Sequence, residues 1–128
     1  MLAKDIMTRD VITVSPTTTV KKLAMMLIKN QISGAPVAGK NGKIVGVVSE
    51  ADIVSKKGKD VKAIMTKEVI SVTEHDSVEK IAQLMTTHRI KRLPVMRGDK
   101  IVGIVSSADI VSAIALGKHV GLTPVYNL

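Results

Sequence analysis

Residues 42–55 read GKIVGVVSEADIVS, and residues 99–112 read DKIVGIVSSADIVS. Each is an apolar, β-branched run followed by a turn-forming Ser-x-Ala-Asp and a short helical pattern. The doubling extends outward in both directions. With Met7 placed on Met65, MTRDVITV lies over MTKEVISV, TVKKLAMML over SVEKIAQLM, and QISGAPV over RIKRLPV. Skipping Gly42 brings KIVGVVSEADIVS over KIVGIVSSADIVS. The chain is therefore an internal duplication. Two copies are too few for a solenoid, and each is too small to bury a core alone, so the pattern predicts a pseudo-twofold pair. The expected parts are residues 1–60, residues 61–117 and a tail at 118–128. KGKDVK, residues 57–62, joins the two repeats.

Each repeat reads as β-α-β-β-α, an α/β class. VITV and VISV are short β-branched strands. Ser15-Pro16-Thr17 and Glu74-His75-Asp76 are turns. Val20, Leu23, Ala24 and Leu27 then fall at helical spacing, as do Val78, Ile81, Ala82 and Met85. Asp76 or Ser77 caps the second of these helices. APVA and LPVM are strands opening at Pro36 and Pro94, where a missing N–H is tolerated. KIVGVV and KIVGIV are strands expected to be buried on both faces, and a last helix starts near Ser49 and Ser106.

The Ser-x-Ala-Asp turns support two compatible readings. Ser-x-x-Asp at a strand-to-helix junction is close to a capping box, in which the serine caps the helix and the aspartate reaches back to a free N–H. The same geometry suits a ligand. A serine hydroxyl at a helix start can donate to phosphate, and a carboxylate one turn in can accept both hydroxyls of a ribose. Gly46 and Gly103 are expected to let the backbone approach a ligand closely.

The full set of motifs, DIMTRDVITV, QISGAPV and GVVSEADIV, then AIMTKEVISV, HRIKRLPV and GIVSSADIV, resembles the CBS domain, named for cystathionine β-synthase. A tandem pair is a Bateman module. The resemblance runs from about residue 3 to residue 117. It implies a CBS-domain pair, two repeats packed about a pseudo-twofold axis, with clefts between them that hold AMP, ADP, ATP, S-adenosylmethionine or NAD. It further implies that the module senses a ligand, does no chemistry and pairs into a homodimer. Carried over by motif, one cleft takes Thr8, Ile12, Thr13, Ile32, Ser33 and Gly34 with Ile104, Ser106, Ala108 and Asp109. The other takes Thr66, Ile70, Ser71, Ile90, Lys91 and Arg92 with Val47, Ser49, Ala51 and Asp52. The aspartates are expected to hold the ribose, the serines and threonines to serve phosphate and backbone, and the aliphatic residues to sandwich the base. Ser33-Gly34 in one repeat is matched by Lys91-Arg92 in the other. In the regulatory subunit of AMP-activated protein kinase, whose motif is similar, basic side chains here contact phosphate. This favours a phosphate-bearing nucleotide.

Composition narrows the remaining classes. The 128 residues carry a formal net charge of +8, 45% hydrophobic residues, no Cys, Trp or Phe, and a single Tyr. The core must be aliphatic. Thiolate metal sites and disulfides are excluded. The charge attracts anions in general, so a nucleic-acid binder or an adaptor with unused clefts is the alternative, although stacking aromatics and helix-turn-helix or zinc motifs are missing. His75, His88 and His119 have no metal-ligand spacing. No P-loop or Gly-x-Ser-x-Gly elbow occurs, so no enzyme is expected. The charged start of the chain and the lack of a long apolar run predict a cytoplasmic protein with no membrane contact. It would act in trans on a protein partner, with no resident cofactor or metal.

Overall fold

The computed structural model describes residues 1–117, and the expected tail lies outside the described residues. Along the chain run helices α1 (Ala3–Ile6) and α2 (Val20–Asn30), strands β1 (Gly34–Ala38) and β2 (Ile44–Ser49), and helices α3 (Glu50–Ser55) and α4 (Val61–Ile64). Then follow β3 (Val72–Thr73), α5 (Val78–His88), β4 (Arg92–Arg97), β5 (Lys100–Ser106) and α6 (Ser107–Ala115). They form two compact units. One is Ile12–Val69, and the other combines Met1–Val11 with the chain from Ile70 onward.

In the Ile12–Val69 unit, β1 and β2 pair antiparallel, from Gly34 opposite Ser49 to Ala38 opposite Ile44. Val14 adds a single parallel bridge to Val37. Thr19 caps α2 by accepting the Lys22 N–H at 3.2 Å, and Leu23 and Leu27 point the helix into the core. That core is Val14, Leu23, Leu27, Val37, Val48, Val61 and Ile64. The last two come from α4, which belongs to the second sequence repeat. A four-residue helix cannot hold itself together in water. Here Val61 and Ile64 are 0% and 1% exposed, and burying each contributes about 2 kcal/mol. Backbone bonds from Val61 to the Thr18 carbonyl and from Lys62 to the Pro16 carbonyl, both 2.9 Å, fix its position.

The other unit repeats this plan. Its sheet has the order β3-β4-β5, with β3 parallel and β5 antiparallel to β4. Val78, Ile81 and Met85 of α5 pack with Leu93, Val95, Val105, Ile110 and Ala113. Ser77 is the α5 cap, accepting the Lys80 N–H at 3.1 Å, while the Asp76 carboxylate accepts the Thr73 N–H at 2.8 Å. Ala3 and Met7, from the first sequence repeat, complete the core. Ala3 N–H donates to the Asp76 carbonyl at 2.8 Å, and Val78 N–H to the Met1 carbonyl at 2.9 Å. The sequence repeats and the compact units thus do not coincide, because each unit takes its opening helix from the other repeat.

Two expectations are corrected. The leading strand of the first repeat shrinks to the one Val14 bridge, and that of the second to the two-residue β3. Only the residues next to the turn run beside β1 or β4, since the chain changes unit just before them. Also, β2 and β5 are not buried on both faces. Gly46 and Val48, like Gly103 and Val105, are buried, while Val47, Ser49, Ile104 and Ser106 between them are half-buried. The antiparallel pairs β1–β2 and β4–β5 are covered fully on one face only.

Candidate functional site

Both Ser-x-Ala-Asp segments form a strand-to-helix turn closed by a capping box. In the β5–α6 turn, Ser106 N–H donates to Asp109 Oδ2 at 2.8 Å, and Asp109 N–H donates to the Ser106 hydroxyl at 3.2 Å. In the β2–α3 turn, Ser49 N–H donates to Asp52 Oδ2 at 2.9 Å, and the Ser49 hydroxyl donates to the same oxygen at 3.3 Å. The boxes explain why serine and aspartate stand at these positions locally. They also aim each carboxylate back over the half-buried end of its strand.

The two carboxylates differ at the second oxygen. Lys56 Nζ lies 2.8 Å from Asp52 Oδ1 and also donates to the Ile64 carbonyl at 3.1 Å. At the matching place after Asp109 stands Ala113, packed in the core. Asp52 is itself buried, whereas Asp109 is half-buried. The sequence reading did not single out Lys56, although its four-residue spacing from Asp52 was a visible signal.

Each turn is joined by a threonine from the opposite sequence repeat. Thr8 and Ile104 exchange backbone hydrogen bonds of 2.8 and 2.9 Å. Thr66 and Val47 do the same at 2.8 and 2.9 Å. The close approach is allowed by glycine. A Cβ on Gly103 would stand 2.5 Å from Met7 Sδ, and one on Gly46 would stand 2.8 Å from both Met65 Sδ and the Thr66 carbonyl oxygen. The space expected to admit a ligand at these glycines is thus filled by the methionine that precedes each threonine.

The remaining candidate residues divide between the units. Thr8, Ile70, Ser71, Ile90, Lys91, Arg92, Ile104, Ser106, Ala108 and Asp109 fall in one, and Ile12, Thr13, Ile32, Ser33, Gly34, Val47, Ser49, Ala51, Asp52 and Thr66 in the other. Ser107 N–H donates to the Lys91 carbonyl at 2.8 Å, and Arg92 stands opposite Ser106 in the sheet. The backbone therefore attaches the Lys91-Arg92 pair, grouped by the family resemblance with Asp52, to the Asp109 turn. In the other unit Glu50 N–H donates to the Ser33 carbonyl at 2.9 Å, and Gly34 stands opposite Ser49. One turn is flanked by two cations and the other by a serine and a glycine. Among the described residues no His, Cys, Asp or Glu cluster suited to a metal is present, and no helix is long and apolar enough to cross a membrane.

Comparison with known proteins places these features in a family. The model of the CBS domain matches twice, over residues 3–58 and 61–116. The chain is 35% identical over 112 residues to an inosine-5′-monophosphate dehydrogenase of Methanocaldococcus jannaschii, covering 85% of this chain and only 23% of the enzyme. It is 33% identical over 114 residues to the CBS domain-containing protein YhcV of Bacillus subtilis, covering 84% of this chain and 81% of that protein. Among solved structures, a CBS domain pair in complex with 5′-methylthioadenosine and S-adenosyl-L-methionine superimposes with a TM-score of 0.87 at 32% identity, covering 92% of this chain and 98% of that one. CBSX2 in complex with AMP gives a TM-score of 0.84 at 28% identity, covering 92% and 98%. The chain belongs to the CBS domain family and carries two CBS domains in tandem.

Proposed function

We propose that this chain is a regulatory module that binds adenosine-containing ligands at its two Ser-x-Ala-Asp turns and signals to a partner protein in trans. The observation that carries the reading is the Asp109 turn. One carboxylate oxygen is fixed by the helix cap, the other takes no hydrogen bond among the described residues, and a Lys-Arg pair stands where the adjoining strand begins. The free oxygen suits a ribose hydroxyl, and the cations suit a phosphate through charge-assisted bonds. Half-buried Ile104 offers an apolar surface to a base. AMP, ADP or ATP fits this turn best. The similar structures that hold AMP, 5′-methylthioadenosine and S-adenosyl-L-methionine support the ligand class.

The Asp52 turn favours a second reading for its own ligand. Ser33-Gly34 replaces the cations, which suits an adenosine compound without phosphate. We read the chain as binding rather than catalytic, and as a homodimer of modules. The test is calorimetry with AMP, ATP and S-adenosylmethionine. Asp109→Ala should abolish the AMP isotherm's tighter phase, and Lys91→Ala with Arg92→Ala should weaken AMP on the order of tenfold while sparing adenosine. Absence of binding by every adenosine compound would sink the proposal.

A further inference from the structure

The two aspartates do not offer a ligand the same carboxylate. An ionised carboxylate has roughly four acceptor positions on its two oxygens. At Asp109 one is filled, by Ser106 N–H. At Asp52 three are filled, by Ser49 N–H, the Ser49 hydroxyl and Lys56 Nζ. A vicinal diol donates two hydrogen bonds. Asp109 can therefore take a ribose with its present bonds intact, and Asp52 cannot.

Of the three donors on Asp52, both from Ser49 lie on Oδ2, and Lys56 alone closes Oδ1. The Ser49 N–H is fixed by the backbone of the turn. The lysine side chain is long, 42% exposed and free to move its ammonium into water. Leaving would also release the Ile64 carbonyl, at the end of α4 and just before Met65 and Thr66. The Asp109 turn has no such device, since Ala113 is 4% exposed and apolar.

The geometry points to Lys56 as a built-in competitor for Asp52: a diol-bearing nucleoside brings both hydroxyls to Oδ1 of that carboxylate only by displacing the Lys56 ammonium. The Asp52 site is then the weaker of the two. Filling it unties α3 from α4, so occupancy is reported by the segment that the second repeat contributes to this unit. This inference rests on the proposed adenosine binding.

Adenosine is the probe of choice, because it has the diol but no charge that a lost cation would affect directly. Asp109→Ala isolates the Asp52 site. Adding Lys56→Met, which keeps the aliphatic stem, should tighten adenosine roughly twofold to fivefold, the scale of one partly exposed ion pair. Lys56→Arg should stay at the weak affinity, and 2′,3′-dideoxyadenosine should show no gain. If Lys56→Met leaves adenosine unchanged or weaker while Asp52→Ala abolishes it, the competitor role is wrong and adenosine binding stands. If adenosine and AMP bind neither the unaltered chain nor any variant, both readings fall together.

Discussion

The Asp52 and Asp109 turns share a capping box, a buried glycine three residues before the serine, and a threonine bridged in from the opposite repeat. They differ in what stands around that frame. Lys56 closes one carboxylate, and Lys91-Arg92 flanks the other. Duplication kept the backbone device and let the neighbours diverge. The comparison teaches that equal motifs need not mean equal sites, because the number of acceptors left on a carboxylate is set by residues outside the motif.

The hardest blow to the shared frame falls on its glycines. Gly46→Ala should destabilise the chain by about 2–3 kcal/mol, since its Cβ meets the Thr66 carbonyl as well as Met65 Sδ. Gly103→Ala should cost about 1–2 kcal/mol, as only the Met7 side chain stands in the way. Urea unfolding measures both. Adding Met7→Ala should relieve part of the Gly103→Ala clash, whereas Met65→Ala should leave most of the Gly46→Ala effect, and a reversed pattern would contradict the contacts described.

Acid should separate the two units next. A hydrogen bond from the Arg97 guanidinium, at 2.7 Å, holds the Glu74 carboxyl below its usual range. A backbone bond from Thr73, helped by Lys80, does the same for Asp76. Groups whose folded pKa is depressed stabilise above the usual carboxylate range and lose that contribution as pH falls through the lowered value. Pro16 and Thr18 stand at the matching positions of the other unit and carry no charge. Hydrogen exchange from about pH 6 to about pH 3 should show protection fading first around β3 and α5. Glu74→Gln should make that fall shallower.

The smallest effect should be the same in both units. Gln31 and Arg89 end α2 and α5 in the left-handed region, each at φ 54°. Gln31→Gly and Arg89→Gly should each stabilise by about 0.5 kcal/mol, the relief of the Cβ clash less the added freedom of the unfolded chain. A thermal melt in which either substitution lowers the midpoint would show that the side chain matters more than its backbone.

The helices α2 and α5, their burial faces and the capping boxes were legible because each rests on spacing within one stretch of chain. The family was legible for the same reason, through motifs in fixed order. The short helices α1 and α4 were not. Four residues carry no periodicity, and only the docking of Ala3 or Val61 onto a distant core makes them helical. The partnership of Thr8 with Ile104 and of Thr66 with Val47 followed from the family resemblance. The seat of Lys91-Arg92 beside Ser106 depended on strand register, which the motifs do not encode. The role of Gly46 and Gly103 was misread because a glycine announces close approach without saying what approaches.

The exchange of opening helices sets an order of assembly. A ribosome delivers everything the Ile12–Val69 unit needs in one continuous run, so that unit can close while synthesis continues. Residues 1–11 emerge before that unit and are used after it, because β5 and α6, which receive Met7 and Thr8, are written beyond its last residue. The nascent chain must hold this segment in reserve while the whole of the intervening unit is made.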